Sequence, residues 1–155
     1  MEDMNPYRSP ATAPAAIEMP VAGARVYRVS GIVLGTFMGT PLATGWLMSG
    51  NYPALGDSAR ARLALTWGAI ATALVLALVL VLPESVPAMA FTIPQLLVAS
   101  HLAKRFQGDR IEEYRASDRT YSNWRAFGVG LLCCLVVIAV MLPIIFGLVM
   151  TGVIQ

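Results

Sequence analysis

An all-α membrane fold is predicted by two features of this 155-residue sequence. Hydrophobic residues make up 57% of the chain and charged residues only 13%, whereas soluble domains carry roughly 25% charged residues. Charged residues are also absent from four long apolar runs, so a helix formed by any of these runs has no charged face. A soluble four-helix bundle needs a polar face on each helix. We therefore predict that lipid is the solvent for most of the chain.

The N-terminal residues have the composition of a disordered tail. Four prolines are spread among alanines in this stretch without apolar periodicity, and proline favours extended backbone that forms no internal hydrogen bonds. We predict a Pro/Ala-rich disordered tail over residues 1–24 and a transmembrane helical domain over residues 25–155.

Four apolar segments follow the tail, each close to the ~20 residues that a helix needs to cross the hydrocarbon core. Their approximate bounds are 29–49, 63–82, 86–103 and 126–154. The second and third segments are separated by a short stretch around Pro83 and Pro87, which predicts a tight helical hairpin.

Basic residues concentrate in two of the connecting loops. Arg60 and Arg62 lie in the first loop. The third loop holds the larger set, Lys104, Arg105, Arg110, Arg115, Arg119 and Arg125. Cytoplasmic loops retain lysine and arginine, so we predict that loops 50–62 and 104–125 are cytoplasmic and that the C-terminus is periplasmic.

The first segment has two possible paths. If it spans the bilayer, Arg8, Arg25 and Arg28 lie outside while the other eight basic residues lie inside. If it bends at Gly39-Thr40-Pro41 and returns as a re-entrant hairpin, all eleven basic residues lie on one side, which fits the positive-inside rule better. Re-entrant backbone is tolerated only where protein or water covers it, so the spanning helix is the simpler interpretation and the one we favour.

The loop between the third and fourth segments has features of a short interfacial helix. Asp109 and Glu112 have the spacing of a capping box, which predicts a helix from Arg110 to about Ala116. Five apolar or aromatic side chains would let this loop lie against lipid headgroups: Phe106, Ile111, Tyr114, Tyr121 and Trp124. The alternative is an ordinary solvated connector.

Small residues at helical spacing predict close helix packing. The first segment carries them at every fourth position: Gly31, Gly35, Gly39 and Ala43. The second segment repeats the pattern with Ala64, Gly68 and Thr72. Such faces let two backbones approach closely in lipid, where close van der Waals contact holds helices together. The pattern of a glycine zipper favours packing of the first segment on the second, and a homo-oligomer or a membrane protein partner is the alternative.

Few side chains in the apolar segments can do chemistry. The polar intramembrane candidates are Gln95 and His101, and no carboxylate lies in any of the four segments. Catalysis needs a positioned nucleophile, an acid–base pair or a metal, and ion-coupled transport needs an ionisable site at depth. We predict no enzyme activity, no catalytic residue, no metal and no cofactor, and the net charge of +2 does not indicate nucleic-acid binding.

Three short stretches resemble a known group of sequences. Asn5-Pro6-Tyr7-Arg8-Ser9-Pro10 is similar to an Asn-Pro-Tyr-x-x-Pro tail found on small multi-pass bacterial inner-membrane proteins of unknown function. Gly39-Thr40-Pro41-Leu42-Ala43-Thr44-Gly45 and Ser122-Asn123-Trp124-Arg125 also resemble that group. The resemblance implies a bacterial inner membrane and supplies no activity.

Three functional hypotheses follow from the sequence. The first is a non-enzymatic membrane protein that acts by helix–helix association, as a scaffold, an accessory subunit or an immunity-type protein. The second is a small oligomeric channel or permeability factor, with the glycine and threonine face of the first segment lining a path. The third is a sensor of anionic lipid surfaces that uses loop 104–125.

Overall fold

The computed structural model describes residues 23–83 and 85–152. This part of the chain forms four helices: α1 (Val29–Asn51), α2 (Ser58–Val81), α3 (Met89–Ala116) and α4 (Asn123–Met150). The predicted all-α membrane fold is confirmed, and α1, α2 and α4 are long and apolar enough to cross a membrane by length and composition. Helix α3, which contains most of the third predicted segment, does not meet that criterion over its length. The predicted disordered tail falls almost entirely outside the described residues.

Helix α1 is folded back on itself as a hairpin. The hydroxyls of Thr36 and Thr44 lie 2.6 Å apart, although eight residues of straight helix separate side chains by roughly 12 Å. The chain also reverses far enough for Asn51 to bond the backbone of Tyr27. We refer to residues 29–38 as the first arm and residues 41–51 as the second arm.

The reversal occurs at Gly39-Thr40-Pro41 for identifiable reasons. Pro41 has no backbone N–H, and its ring disfavours helical backbone in the preceding residue. Thr40 accordingly leaves the helical region, with φ +64° and ψ −176°, and Gly39 also has non-helical angles. A β-branched residue rarely adopts positive φ. The turn is therefore a strained point that the packing around it must hold in place.

The hairpin rules out the single continuous helix that the spanning path of the first segment assumed. Each arm has about ten residues and is roughly 15 Å long at 1.5 Å per residue, which is about half of the ~30 Å hydrocarbon core. Both ends of α1 lie at the same end of the molecule, since Tyr27 and Asn51 are in direct contact. An unbroken helix over 29–49 is wrong because Gly39-Thr40-Pro41 breaks the helix completely, whereas a single proline commonly only kinks it.

The hairpin is also the centre of the fold. Helices α2, α3 and α4 all pack against α1, whereas they make little contact with one another. The core therefore gathers around the two arms and includes Ile32, Leu47 and Met48. The outer faces of α2 and α4 expose large apolar side chains such as Leu74 and Phe146, which is the arrangement expected of lipid-facing helices.

The predicted short helix after the third segment is the C-terminal part of α3, which runs without interruption to Ala116. Asp109 and Glu112 are exposed residues in the middle of this helix, so they do not form a capping box. One face of α3 is buried from Ala99 to near the C-terminal end of the helix: Ala99, Ala103, Gln107, Ile111 and Tyr114. Their spacing of three and four residues places them on one stripe, and packing of this stripe explains why the helix continues past the apolar segment.

The segments at one end of the molecule are joined by backbone pairing. Val26 forms a parallel bridge with Thr120, and the Arg28 Nε donates to the Thr120 hydroxyl at 2.7 Å. The rings of Tyr27 and Tyr121 are in contact in a tilted arrangement, with centroids 4.7 Å apart. The chain entering α1 and the chain entering α4 are therefore held side by side, at the end where the basic loops also meet. We call this the basic end.

Candidate functional site

A groove runs between α2 and α3 and is open to the surroundings of the protein. Its volume is about 730 Å³. The second arm of α1 forms the floor, at Pro41 and Gly45, and the two helices form the walls. Helix α2 contributes Trp67 and Ala71 to one wall, and α3 contributes Gln95, Val98, Leu102 and Phe106 to the other. Almost every lining group is apolar, so water is a poor occupant.

The groove exists because the second arm lies between the two helices and keeps them apart. On the α2 side, a β-carbon placed on Gly68 would lie 2.8 Å from the Cα of Gly45. Only glycine at both positions permits this approach. On the α3 side, Ala99 and Ala103 are buried. Helices α2 and α3 therefore pack on the arm through small residues and leave the space beyond it unfilled.

At the basic end the groove continues into a smaller and more polar cavity, which we call the vestibule. Its volume is about 250 Å³, and it is lined by Tyr52, Leu55, Gly56, Asp57, Arg60, Phe106 and Arg110. Tyr52, Arg60 and Phe106 line both spaces. Groove and vestibule thus form one elongated site with an apolar body and a charged mouth.

Two guanidinium groups at the vestibule are held by neighbouring atoms. The Arg60 Nε lies 3.0 Å from the Asp57 carboxylate, and Asp57 caps α2 by accepting from the Arg60 backbone N–H. The Arg110 Nη2 donates to the Leu55 carbonyl at 3.1 Å. Each guanidinium has five N–H donors, so these contacts orient both groups and leave donors for a ligand.

Two buried carboxamides lock the hairpin beside the site. The Asn51 Nδ2 donates to the Gln107 Oε1 at 2.9 Å and to the Tyr27 carbonyl at 3.1 Å. The Gln107 Nε2 donates to the Met48 carbonyl at 3.0 Å. Asn51 and Gln107 fall in the predicted loops 50–62 and 104–125 and were not among the predicted site residues. Gln107 is four residues from both Ala103 and Ile111, and this helical spacing was the sequence signal that Gln107 lies on a buried helix face.

Threonine hydroxyls gather at the tip of the hairpin, where they bond one another and the backbone. Thr36 donates to the Ile32 carbonyl at 2.7 Å and also contacts Thr44. Thr40 lies 3.3 Å from Thr72, which donates to the Gly68 carbonyl. These hydroxyls are satisfied within the chain, so the tip is a structural polar cluster.

The predicted packing face lies inside the protein. The glycines of the first arm contact α4: Gly31 and Gly35 face Ala126, and Gly39 and Gly35 face Gly130. Ala64 and Gly68 of α2 contact Gly45 in the second arm of α1. Ala43, also in the second arm, is fully buried. The face of the first arm thus packs on α4 through Ala126 and Gly130. These two small residues have the same four-residue spacing, but our sequence analysis did not identify them as a packing face.

The other predicted site residues are scattered. Gln95 lines the groove and is half-buried, whereas His101 is exposed and does not line the groove or the vestibule. Of the predicted basic loop, Arg110 lines the vestibule. The remainder are exposed or partly exposed: Lys104, Arg105, Arg115, Arg119 and Arg125. Two of these side chains lie over aromatic rings, Arg119 over Tyr114 and Arg125 over Tyr121. The second vestibule arginine, Arg60, was not among the predicted site residues.

Within residues 23–83 and 85–152, no group of three or more His, Cys, Asp or Glu side chains is placed to hold a metal ion. Comparisons with protein-family models, with curated proteins and with solved structures find no match for the chain. The function must therefore be argued from the groove and its vestibule.

Proposed function

We propose that this chain is a non-enzymatic membrane protein that binds the acyl portion of a lipid in the groove between α2 and α3. The observation that carries the proposal is the unfilled apolar groove of about 730 Å³. Ligand sites are clefts of roughly 300–1,000 Å³ lined mainly by apolar groups with a few polar ones. The groove has these properties, and the helices that form its walls expose large apolar side chains such as Trp67 and Leu97.

The proposed topology has α2, α3 and α4 crossing a bacterial inner membrane and α1 entering it as a re-entrant hairpin. Support comes from the basic end, where both ends of α1 meet the arginine-bearing segments. The positive-inside rule then assigns loops 50–62 and 104–125 and the chain entering α1 to the cytoplasm. Helices α2 and α4 cover the broken backbone at the hairpin tip, which is the condition for re-entrant backbone in lipid.

All three hypotheses from the sequence remain proposals, including the lipid-surface sensor that uses loop 104–125, and the first two need surfaces other than the predicted glycine face. Association with a partner or a second copy cannot use Gly31, Gly35 and Gly39 while these residues contact α4. A channel that follows the same face meets the same obstacle. Association through the outer faces of α2 and α4 remains available, because these faces expose many large apolar side chains.

Retention of lipid by the purified protein tests the proposal. Ala71 lines the groove, and Ala73 is an exposed alanine on the same helix that does not line it. We expect native mass spectrometry to detect bound phospholipid on the wild type and on Ala73→Trp after a delipidating detergent wash. We expect Ala71→Trp, with unchanged helicity by circular dichroism, to lose this lipid.

Two results would overturn the proposal. One is equal lipid retention by Ala71→Trp and Ala73→Trp, since a tryptophan in the groove must displace its occupant. The other is the loss of a co-purifying polypeptide, or of a second copy of the chain, in the Ala71→Trp variant without any loss of lipid. That second result would assign the groove to a helix.

A further inference from the structure

We infer that the vestibule selects the ligand, by binding the phosphate of an anionic phospholipid between Arg60 and Arg110. This inference rests on the proposed function and adds the chemical class of the headgroup. The lipid then has its acyl chain in the groove and its phosphate at the basic end.

The continuity of the two spaces is the first argument. The vestibule adjoins the groove through Arg60, Tyr52 and Phe106, which line both. An occupant of the apolar groove that extends toward the basic end therefore meets charged groups next. A phospholipid has this order of chemistry along its length, whereas a wholly apolar occupant does not match the charged groups of the vestibule.

The charge of the vestibule is the second argument. Two guanidinium groups and one carboxylate line it, from Arg60, Arg110 and Asp57, so the lining carries a net positive charge. A lipid with one net negative charge complements that lining, and a zwitterionic lipid does not. Basic pockets between transmembrane helices at the cytoplasmic side are a known mode of binding for anionic headgroups.

The geometry of the two arginines is the third argument. Asp57 binds the Nε of Arg60, and the Leu55 carbonyl binds one terminal nitrogen of Arg110. The remaining terminal N–H groups can donate in pairs to phosphate oxygens, which is the geometry that favours arginine at phosphate sites. Glu113 lies 3.7 Å from Arg110 but is largely exposed, so it competes weakly for the guanidinium.

Headgroup selectivity tests the inference. Purified protein is titrated with dioleoyl phosphatidylglycerol and dioleoyl phosphatidylcholine, and the bound populations are measured by native mass spectrometry. A basic residue near a lipid surface contributes about a five-fold preference for anionic lipid. We expect the wild type to prefer phosphatidylglycerol and Arg60→Gln/Arg110→Gln to lose that preference while still binding both lipids through the groove.

A matched control separates the vestibule from general surface charge. Arg62→Gln removes an exposed arginine two positions from Arg60 that lines neither space, and we expect it to keep the preference. The inference is overturned if the double variant retains the wild-type preference, or if Arg62→Gln loses as much of it. Either result leaves the proposed function intact as long as Ala71→Trp loses lipid, whereas retention by Ala71→Trp removes the proposed function itself.

Discussion

Asn51 binds the backbone of Tyr27 in both directions, 24 residues away along the chain. Its Oδ1 accepts from the Tyr27 N–H at 2.7 Å, and its Nδ2 donates to the Tyr27 carbonyl at 3.1 Å. The same Nδ2 donates to Gln107, which joins α3 to the closed hairpin. One carboxamide therefore fixes both ends of α1 and the helix that forms one wall of the groove.

Replacing this carboxamide should destabilise the fold. Asn51→Ala leaves the Tyr27 N–H and the Gln107 Oε1 without their partner in a buried site, and each unsatisfied buried group costs about 1–3 kcal/mol. We expect a loss of about 2–4 kcal/mol, measured by unfolding in mixed micelles. Asn123→Ala is the matched control, because Asn123 is exposed. Similar stabilities for the two variants would show that Asn51 does not close the hairpin.

Close backbone packing predicts opposite responses from two glycines of α4. A β-carbon on Gly130 would lie 2.5 Å from the Gly35 carbonyl oxygen, whereas one on Gly128 has no neighbour within 4 Å. We expect Gly130→Ala to destabilise the protein by about 1–3 kcal/mol through overpacking, and Gly128→Ala to be neutral or mildly stabilising because alanine favours helix. Thermal unfolding in detergent measures both, and equal melting temperatures would contradict this packing of α1 on α4.

The strained turn of the hairpin can be tested with two substitutions at one position. Thr40 has φ +64° and ψ −176°, a region populated almost only by glycine, and such residues cost about 1–3 kcal/mol. Thr40→Ala removes the hydroxyl and keeps the strain, whereas Thr40→Gly removes both. We expect Thr40→Gly to be more stable than Thr40→Ala by about 1 kcal/mol, after allowing for the greater entropy of glycine in the unfolded chain. The reverse order would argue against the positive φ.

The proposed topology predicts opposite locations for the two chain ends. A re-entrant α1 followed by three crossings gives an odd number of crossings, so the N-terminus is cytoplasmic and the C-terminus periplasmic. Paired reporter fusions that are active on opposite sides of the membrane measure this directly. A periplasmic signal from both ends would mean that α1 crosses.

The helical segments could be predicted well from the sequence because an apolar run of this length is expected to form a helix long enough to cross a membrane. It also located the break, since Gly39-Thr40-Pro41 and the basic residues of the tail both favoured a re-entrant path. The simpler spanning path was preferred only because the cover for a broken helix is not visible in a sequence. That cover is supplied by Gly130 and Thr72 on two other helices.

The groove was beyond prediction from the sequence. It depends on how α2 and α3 pack on either side of the second arm, and no periodicity in the sequence encodes a space that remains unfilled. The buried stripe of α3 was missed for a different reason. Its polar member Gln107 and the charged residues beside it gave the stretch the composition of a loop, although Ala103, Ile111 and Tyr114 kept helical spacing.

Every proposal above depends on the hairpin, and a disulfide tests it most directly. With Cys133 and Cys134 replaced by alanine, Thr36→Cys/Thr44→Cys places two thiols where the hydroxyls lie 2.6 Å apart. Mild oxidation of the membrane-embedded protein, followed by denaturation in detergent, maleimide–polyethylene glycol labelling and intact mass measurement, shows whether they pair. We predict an intramolecular disulfide and no labelling. Two free, fully labelled thiols on a folded monomer would mean a continuous helix, in which these positions are roughly 12 Å apart.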